Sequence, residues 1–225
     1  MRFQTSRSSR GEAPVRNEGS GKQLRQGESP RRIRQVDEKR LQEAVTHLLE
    51  ALGEDPGREG LNGTPARVAQ LFAELYRGVG VDPRTVLQDA RALVEPENHV
   101  GELVALRGVG FSSICEHHLL PFRGVADVAY RPGEKLVGLG VLADLVAVAA
   151  ARPQMQERLG DMIARALVDS TVATGSVVVI RAEHGCVAHR GPRLAESETV
   201  TVAAAGSLDD AEARREALYT MGHSD

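Results

Sequence analysis

SSICEHHLLPFRGVADVAYRPG, at residues 112–133, contains the clearest strand signal in the chain. Within it, residues 122–130 form a short apolar run, and Pro132 and Gly133 follow as a turn signal. We therefore predict a strand over residues 122–130. The first half of the stretch holds a cysteine and two histidines at the point where the preceding predicted strand gives way to a turn.

Before this stretch, the spacing of apolar residues predicts two helices. Asp37 is expected to N-cap the first, and Gly53 is expected to end it. Thr64 and Pro65 are expected to begin the second, as the cap and the first-turn proline, and Gly78 follows its end. The second helix is expected to bury an apolar stripe made of Val68, Leu71, Phe72, Leu75 and Tyr76.

After this stretch, two helical patterns occur at residues 142–151 and 155–170. A β-branched run at residues 176–181 predicts a strand, and residues 193–203 are expected to pair with it as the last strand. The residues after Leu208 are expected to form an exposed helical end. Strands, then helices, then strands predict an α+β fold with a mainly antiparallel sheet rather than a doubly wound one.

The overall composition narrows the class of protein. The chain has 225 residues, of which 41% are hydrophobic and 26% charged, as is typical of a soluble globular protein and not of a fibrous or wholly disordered one. No run approaches the roughly 18 apolar residues of a membrane span. We find no secretory or twin-arginine signal, so a cytoplasmic protein with no membrane partner is expected. Two cysteines are too few for a disulfide scaffold.

The charges are distributed unevenly. Residues 1–35 contain nine Lys or Arg and three Asp or Glu, and the rest of the chain contains 19 basic and 28 acidic residues. The basic segment is poor in apolar residues, so we expect a disordered tail. Such an arm can bind nucleic acid. Because aromatic residues are not interleaved with its charges, we favour a solvated leader and expect no nucleic-acid partner.

Two short segments hold the residues best suited to chemistry, CEHH at residues 115–118 and HGC at residues 184–186. A thiolate and an imidazole with two residues between them can converge on one ion across a tight turn, and a thiolate from a distant strand would make three ligands. A Cys2His set leaves the fourth tetrahedral position of zinc open, as in catalytic sites. Zinc lowers the pKa of a bound water toward about 7, and S/N ligands favour it over magnesium or calcium.

Other interpretations of these segments remain open on spacing alone. Either cysteine could be a small buried hydrophobic residue. A disulfide between Cys115 and Cys186 is conceivable, but a cytoplasmic location disfavours it. His117, His184 or His189 could occupy the fourth position of a metal and close the site, which would make the metal structural.

Several segments resemble the GTP cyclohydrolase I family, in the right order and at about the right spacing. The resemblance covers residues 37–208. It is carried by SSICEHHLLPFRG, which is similar to the family signature; QMQERL, similar to its guanine-binding segment; EHGCVAHRG, similar to its second metal segment; GLNGTPARVAQLFAEL, similar to its leader helix; and SETVTVAAAG, similar to a divergent form of its last strand.

The resemblance implies the tunnelling fold, an antiparallel sheet with two helices on one face, preceded by N-terminal helices. Residues 36–100 would form the helical region, residues 101–208 the catalytic domain, and residues 209–225 a C-terminal extension. It also implies a homo-oligomer, a decamer of two rings, with active sites shared between subunits. The implied reaction converts GTP and water to formate and 7,8-dihydroneopterin triphosphate, the first step of folate and pterin synthesis.

The family's metal ligands and catalytic histidines have counterparts in this chain. By resemblance, Cys115, His118 and Cys186 would bind Zn²⁺. His184 matches the family's general acid, and His117 matches a second histidine beside the metal. Histidine suits this role because its pKa lies near neutral pH.

The substrate-binding residues are matched less completely. Glu157 would accept hydrogen bonds from the guanine N1 and 2-amino groups, with Gln156 nearby, whereas on sequence alone Glu157 is only a polar residue on an amphipathic helix. Arg67 and Arg190 match two of the cationic positions that hold the triphosphate. The chain departs from the family's cationic pattern at Gln70, Val141, Asp144 and Glu198.

These departures keep three hypotheses open. The chain is predicted to be a GTP cyclohydrolase I. One alternative is a diverged family member that opens a less phosphorylated or otherwise modified purine nucleotide in a specialised pathway. The other is a non-catalytic zinc-binding regulatory homologue, which the presence of His117, His184 and Glu157 disfavours.

Overall fold

The structure is a computed structural model, and it describes residues 36–89, 91–92, 102–133, 135–190 and 197–223. The predicted basic tail, residues 1–35, lies outside the described residues. The same holds for residues 193–196 of the predicted last strand.

Helix α1 (Glu38–Ala51) begins as the sequence predicts. The backbone N–H of Arg40 donates to the Asp37 carboxylate at 3.1 Å, so Asp37 is the N-cap. This bond satisfies one of the amide groups that lack a partner in the first turn of a helix.

Helix α2 (Thr64–Leu75) differs from the prediction at its first residue. Its N-cap is Gly63, which has a φ of +81° that a glycine adopts without steric cost. Thr64 is therefore the first helical residue and not the cap. Pro65 lies in the first turn as predicted, where its missing N–H costs no hydrogen bond.

The predicted burial of the α2 stripe is only partly right. Leu71 is 51% exposed on α2, and Leu48 is 57% exposed on α1. Among the described residues, Val45 is the one buried residue of α1 and Ala69 that of α2. Helical spacing identifies the residues that share a face, but another segment must cover that face before it is buried.

The strands form two sheets. In the smaller sheet, β1 (Arg91–Ala92) pairs with β4 (Lys135–Leu136). A 3-10 helix at Pro83–Asp89 comes shortly before β1 in the chain. The larger has the order β5-β2-β3-β6-β7, and its pairs are antiparallel except β2 with β5. Its strands are β2 (Val104–Cys115), β3 (Pro121–Pro132), β5 (Pro153–Gln154), β6 (Ala173–His184) and β7 (Thr199–Gly206).

Helices α3 (Leu139–Ala150) and α4 (Gln156–Asp169) cover one face of the large sheet, which confirms the predicted α+β class. Their buried side chains pack against strand residues in one core, made of Leu142, Leu145, Val146, Leu159, Ile163, Leu167, Val128, Val178 and Ile180 among others. No helix in the described ranges is long and apolar enough to cross a bilayer.

Helix α6 (Ala211–Thr220) corrects one expectation. The helical end after Leu208 exists, but it is not simply exposed. Leu208, Ala217 and Met221 are fully buried and form a second apolar cluster with Ala129, Val177 and Val179 of the sheet. Successive strand residues point to opposite faces of the sheet, so the face opposite α3 and α4 also carries apolar side chains that another element must cover. The sequence pattern of residues 209–225 did not indicate that α6 covers them.

Strand β3 explains how two distant segments meet. Within the sheet, Phe122 of β3 lies opposite Ser113 of β2 on one side and His184 of β6 on the other. Since β2 and β6 are both antiparallel to β3, they run in the same direction, and their C-terminal ends lie at the same end of the sheet. The segments that follow Cys115 and His184 therefore leave the sheet side by side.

Candidate metal centre and active site

Three potential ligand atoms meet at this end of the sheet, where β2 and β6 terminate. The sulfurs of Cys115 and Cys186 and a ring nitrogen of His118 all lie within 4.8 Å of one another. Cys115 is the buried last residue of β2, Cys186 lies half-buried in the short helix α5 (Gly185–Ala188), and His118 is exposed. Both cysteines are free thiols, so the disulfide alternative does not describe this structure.

The chemistry of this donor set fits zinc. Burial raises the pKa of the Cys186 thiol, and the neighbouring Cys115 raises it further, against a smaller lowering by Arg190. Two thiolates so close to each other repel, and a bound cation removes that cost. Two sulfurs and one imidazole are ligands that zinc prefers, so the cluster could hold this ion.

The cluster has three members within the described part of the chain. His117 and His189 are exposed and do not belong to it. The Nδ1 of His117 lies 3.9 Å from the sulfur of Cys115, and the Nε2 of His189 lies 3.9 Å from the carboxylate of Glu183. Three protein ligands around zinc leave one position for solvent or substrate.

We call residues 115–120 the metal turn. Its ends are held by backbone hydrogen bonds, from the N–H of Cys115 to the carbonyl of Leu120 at 2.8 Å and from that of Glu116 to the carbonyl of Gln154 at 3.1 Å. Within it, Leu119 has a φ of +54°. This left-handed conformation is uncommon for leucine, so contacts with the rest of the fold must maintain the turn.

His184 is oriented by Gln156. The Nε2 of Gln156 donates to the carbonyls of Ile180 at 3.0 Å and Thr199 at 2.9 Å. Its Oε1 therefore faces His184, whose Nε2 is 2.7 Å away. Because an amide oxygen only accepts, the Nε2 of His184 carries a proton and donates. The imidazole also stacks on Phe122, with the ring centroids 4.8 Å apart.

This arrangement leaves Nδ1 as the unprotonated nitrogen of a neutral His184. Burial lowers the pKa of His184, and the carboxylate of Glu157 raises it by a smaller amount. Burial therefore favours the neutral ring at neutral pH. The available lone pair is then on Nδ1.

The residues after Gln156 lie at the start of α4. Glu157 is exposed and close enough to His184 to influence its pKa. Arg158 forms an ion pair with Glu116 of the metal turn. Hydrogen bonding to Arg158 is the main cause of the lowered pKa of Glu116.

Comparison with known proteins identifies the family. A family model described as GTP cyclohydrolase I matches residues 41–222. The chain belongs to the GTP cyclohydrolase I family. Its α+β sheet with two helices on one face is consistent with the tunnelling fold of this family.

Relatives of similar length belong to the same family. The chain is 47% identical over 186 residues to a protein named GTP cyclohydrolase 1 from Leifsonia xyli subsp. xyli, covering 83% of this chain and 96% of the relative. It is 44% identical over 195 residues to the Bacillus subtilis protein of that name, covering 86% and 100%. It is 46% identical over 187 residues to the Streptococcus thermophilus protein of that name, covering 82% of this chain and 97% of the relative.

The two arginines matched to GTP cyclohydrolase I lie in different places. Arg190 is exposed just after α5, and its charge lowers the pKa of Cys186, so it lies near the metal cluster. Arg67 is exposed on α2 and donates to the hydroxyl of Thr64 at 2.9 Å. Among the described contacts, none joins Arg67 to the metal cluster.

The positions at which the chain departs from the family's cations are mostly on the surface. Gln70, Asp144 and Glu198 are exposed, and Val141 is half-buried. Two of these positions, Asp144 and Glu198, therefore carry exposed acidic side chains.

Sequence reasoning missed the partner of Glu116 and the amide geometry of Gln156. Glu116 lies in CEHH and Arg158 in QMQERL, 42 positions apart in the sequence. The motifs locate both residues without indicating that their side chains meet.

Proposed function

We propose that this chain is a zinc-dependent GTP cyclohydrolase I, which converts GTP and water to formate and 7,8-dihydroneopterin triphosphate. The observation that carries the proposal is the convergence of Cys115, His118 and Cys186 beside His184, in a chain whose relatives are named GTP cyclohydrolase 1.

Cys115, His118 and Cys186 would hold the zinc ion. When bound, zinc supplies a Lewis acid and lowers the pKa of water in its open position. The protein's contribution is to hold the three ligand atoms together, through the end of β2, the metal turn and α5.

Glu157 is proposed to recognise the base. Its carboxylate accepts hydrogen bonds only, and guanine presents two adjacent donors, N1–H and the 2-amino group. Adenine lacks this pair of donors, so Glu157 favours guanine. The exposure of Glu157 at the first turn of α4 leaves its oxygens accessible to a ligand.

His184 is proposed to move the proton. A neutral His184 can accept at Nδ1 a proton from the water that attacks the purine and donate it to the ring nitrogen that is released as the ring opens, while its Nε2–H stays bonded to Gln156. Gln156 is 1% exposed, and its amide binds His184 and two backbone carbonyls. We therefore assign it to orienting His184 within the substrate site. His117, exposed beside Cys115, is proposed as the second histidine.

The loss of expected positive charges supports a second candidate function, that of a family member that acts on a less phosphorylated purine nucleotide. Arg67 and Arg190 are retained, but Asp144 and Glu198 place negative charge where the family resemblance leads us to expect cations. A triphosphate is attracted by fixed positive charge and repelled by negative charge.

Zinc content and formate release, measured in parallel with GTP, GMP and guanosine, separate the candidates. Formate from GTP supports the first, and formate from GMP or guanosine alone supports the second. Bound zinc without any formate contradicts both.

Glu157→Ala tests the base-recognition role. We expect zinc content equal to wild type and a KM for GTP raised at least 100-fold, because the two hydrogen bonds that Glu157 is proposed to accept from guanine are lost. Glu183→Ala, at an acidic residue of β6, is the matched control. An unchanged KM in Glu157→Ala would contradict the assignment.

Assembly into a homo-oligomer, a decamer of two rings, is part of the same proposal. Strand β7 is at an edge of the sheet, and its Val200 and Val202 are about half exposed. An edge strand with exposed apolar side chains is suited to pairing with another subunit. In this proposal residues 101–208 form the catalytic domain, residues 36–100 precede it as the helical region, and residues 209–225 follow it. Sedimentation equilibrium of the full chain measures the number of subunits.

A further inference from the structure

Three consecutive residues at the start of α4 connect with three different parts of the molecule. Gln156 binds His184 and Ile180 of β6, Glu157 is exposed, and Arg158 reaches the metal turn. Nη1 and Nη2 of Arg158 donate to Oε2 and Oε1 of Glu116 at 2.6 and 3.0 Å. One helical turn therefore links the base-recognition carboxylate with the segment that carries two of the three metal ligands.

The metal turn needs such a link. Glu116 lies between Cys115 and His118, and Leu119 adopts its left-handed conformation one residue after His118. The backbone bonds described above hold the ends of the turn. Among the described contacts, the Glu116 carboxylate is the side chain that ties it to α4.

The form of the contact suits positioning. Two parallel hydrogen bonds between a planar guanidinium and a carboxylate fix both distance and direction, which a lysine cannot do. Since both terminal nitrogens bind Glu116, Arg158 is engaged by the protein. Exposed ion pairs add little to stability, and here the side chains of Arg158 and Glu116 are 48% and 29% exposed. The pair is therefore suited to setting geometry and contributes little to holding the fold together.

We propose that Arg158 is a positioning residue, which fixes the metal turn relative to Glu157 through its bidentate bond to Glu116. This sets the separation between the bound purine and the metal ligands. The inference rests on the proposed function where it concerns the purine. Its effect on the metal ligands can be measured without any turnover.

Co²⁺ replaces zinc in the test because its absorption reports thiolate ligation and geometry. The variants are Arg158→Gln, Arg158→Lys, Glu116→Gln and the double variant Glu116→Gln/Arg158→Gln. The matched control is Arg165→Gln, which removes the ion pair of Arg165 with Asp161 on the same helix, with nitrogen and oxygen 2.7 Å apart and both side chains well exposed.

We expect Arg158→Gln to lower Co²⁺ affinity, measured by competition with a chelator, about tenfold and to change the thiolate-to-cobalt absorption. Glu116→Gln should do the same, and the double variant should be no worse than either single one, because the two residues act as a unit. Arg158→Lys should fall between wild type and Arg158→Gln. Arg165→Gln should match wild type.

Kinetics with GTP complete the test. We expect kcat/KM of Arg158→Gln to fall 10- to 100-fold, since small displacements of reacting groups have large effects. Cobalt affinity and absorption equal to the control would overturn the proposal, as would additive losses in the double variant. If wild type releases no formate from any purine, the proposed function fails while the cobalt measurements still decide the role of Arg158. If Arg158→Gln does not fold, Arg158→Lys and Glu116→Gln give the answer.

Discussion

The N-terminal hairpin, helices α1 and α2, and the sheet with α3 and α4 use apolar residues in similar patterns but bury them differently. In α4, Leu159, Ile163 and Leu167 are fully buried against the sheet. On the hairpin, Leu48 and Leu71 are more than half exposed. An apolar groove of about 420 Å³ runs along it, lined by Val36, Leu41, Ala44, Val45, Leu48, Phe72, Tyr76 and Leu119.

The difference shows which apolar faces a single chain covers with its own residues. A sheet offers a broad surface that covers the whole stripe of a helix, whereas two helices cover each other along a narrow line. The metal cluster lies on the sheet side of this comparison. The mutations below test both sides, beginning with the site.

Cys186→Ala is expected to have the largest effect, with loss of zinc and a fall in turnover of at least 1,000-fold, because two ligands do not hold the ion. Metal analysis and formate release measure both quantities. Val187→Ala, the next residue of α5, should keep zinc and activity. Full activity of Cys186→Ala would contradict a metal centre at the end of the sheet.

Ile163→Ala is expected to lower the free energy of unfolding by about 4 kcal/mol, because it leaves a cavity in the core between α4 and the sheet. Urea denaturation measures the change. A loss below about 1 kcal/mol would show that the sheet side is packed no better than the hairpin.

Gly124→Ala is expected to cost about 3 kcal/mol. A Cβ on Gly124 would overlap the carbonyl of Arg181 in the neighbouring strand, and backbone cannot move aside as a side chain can. Gly110→Ala is the matched control, since a Cβ there meets nothing within 4 Å. Equal unfolding midpoints for the two variants would argue against this close approach of β3 and β6.

Leu48→Ala is expected to have the smallest effect on the subunit, within about 0.5 kcal/mol, because its side chain is already largely in solvent. Urea denaturation measures the change, at a dilution where the chain sediments as a monomer. A loss as large as that of Ile163→Ala would mean that the hairpin is packed as tightly as the sheet side.

The helices and strands that the sequence predicted correctly are those that local patterns of neighbouring residues define. Asp37 marked the start of α1, the run at residues 122–130 became β3, and residues 155–170 became α4. The errors occur where another part of the chain decides the outcome. Leu71 has the spacing of a buried residue but lacks a cover, and Ala217 and Met221 are buried because the second face of the sheet is near them.

The candidate site divides in the same way. The sequence located Cys115, His118 and Cys186 in two segments, and the order of β2, β3 and β6 brought them together. The sequence placed Glu116 in the first of these segments and Gln156 in QMQERL, but it did not indicate their partners. Their hydrogen bonds join residues 28 and 42 positions apart, a range over which no local pattern extends.

By itself, the sequence determined most of the elements that form and which residues are candidates for the chemistry, because helix caps, strand runs and metal-ligand motifs are properties of neighbouring residues. Tertiary structure alone decided which apolar faces are covered, which nitrogen of His184 carries its proton, and which carboxylate accepts the two hydrogen bonds of Arg158. These depend on atoms brought together from separate segments by the register of the strands and the packing of α4.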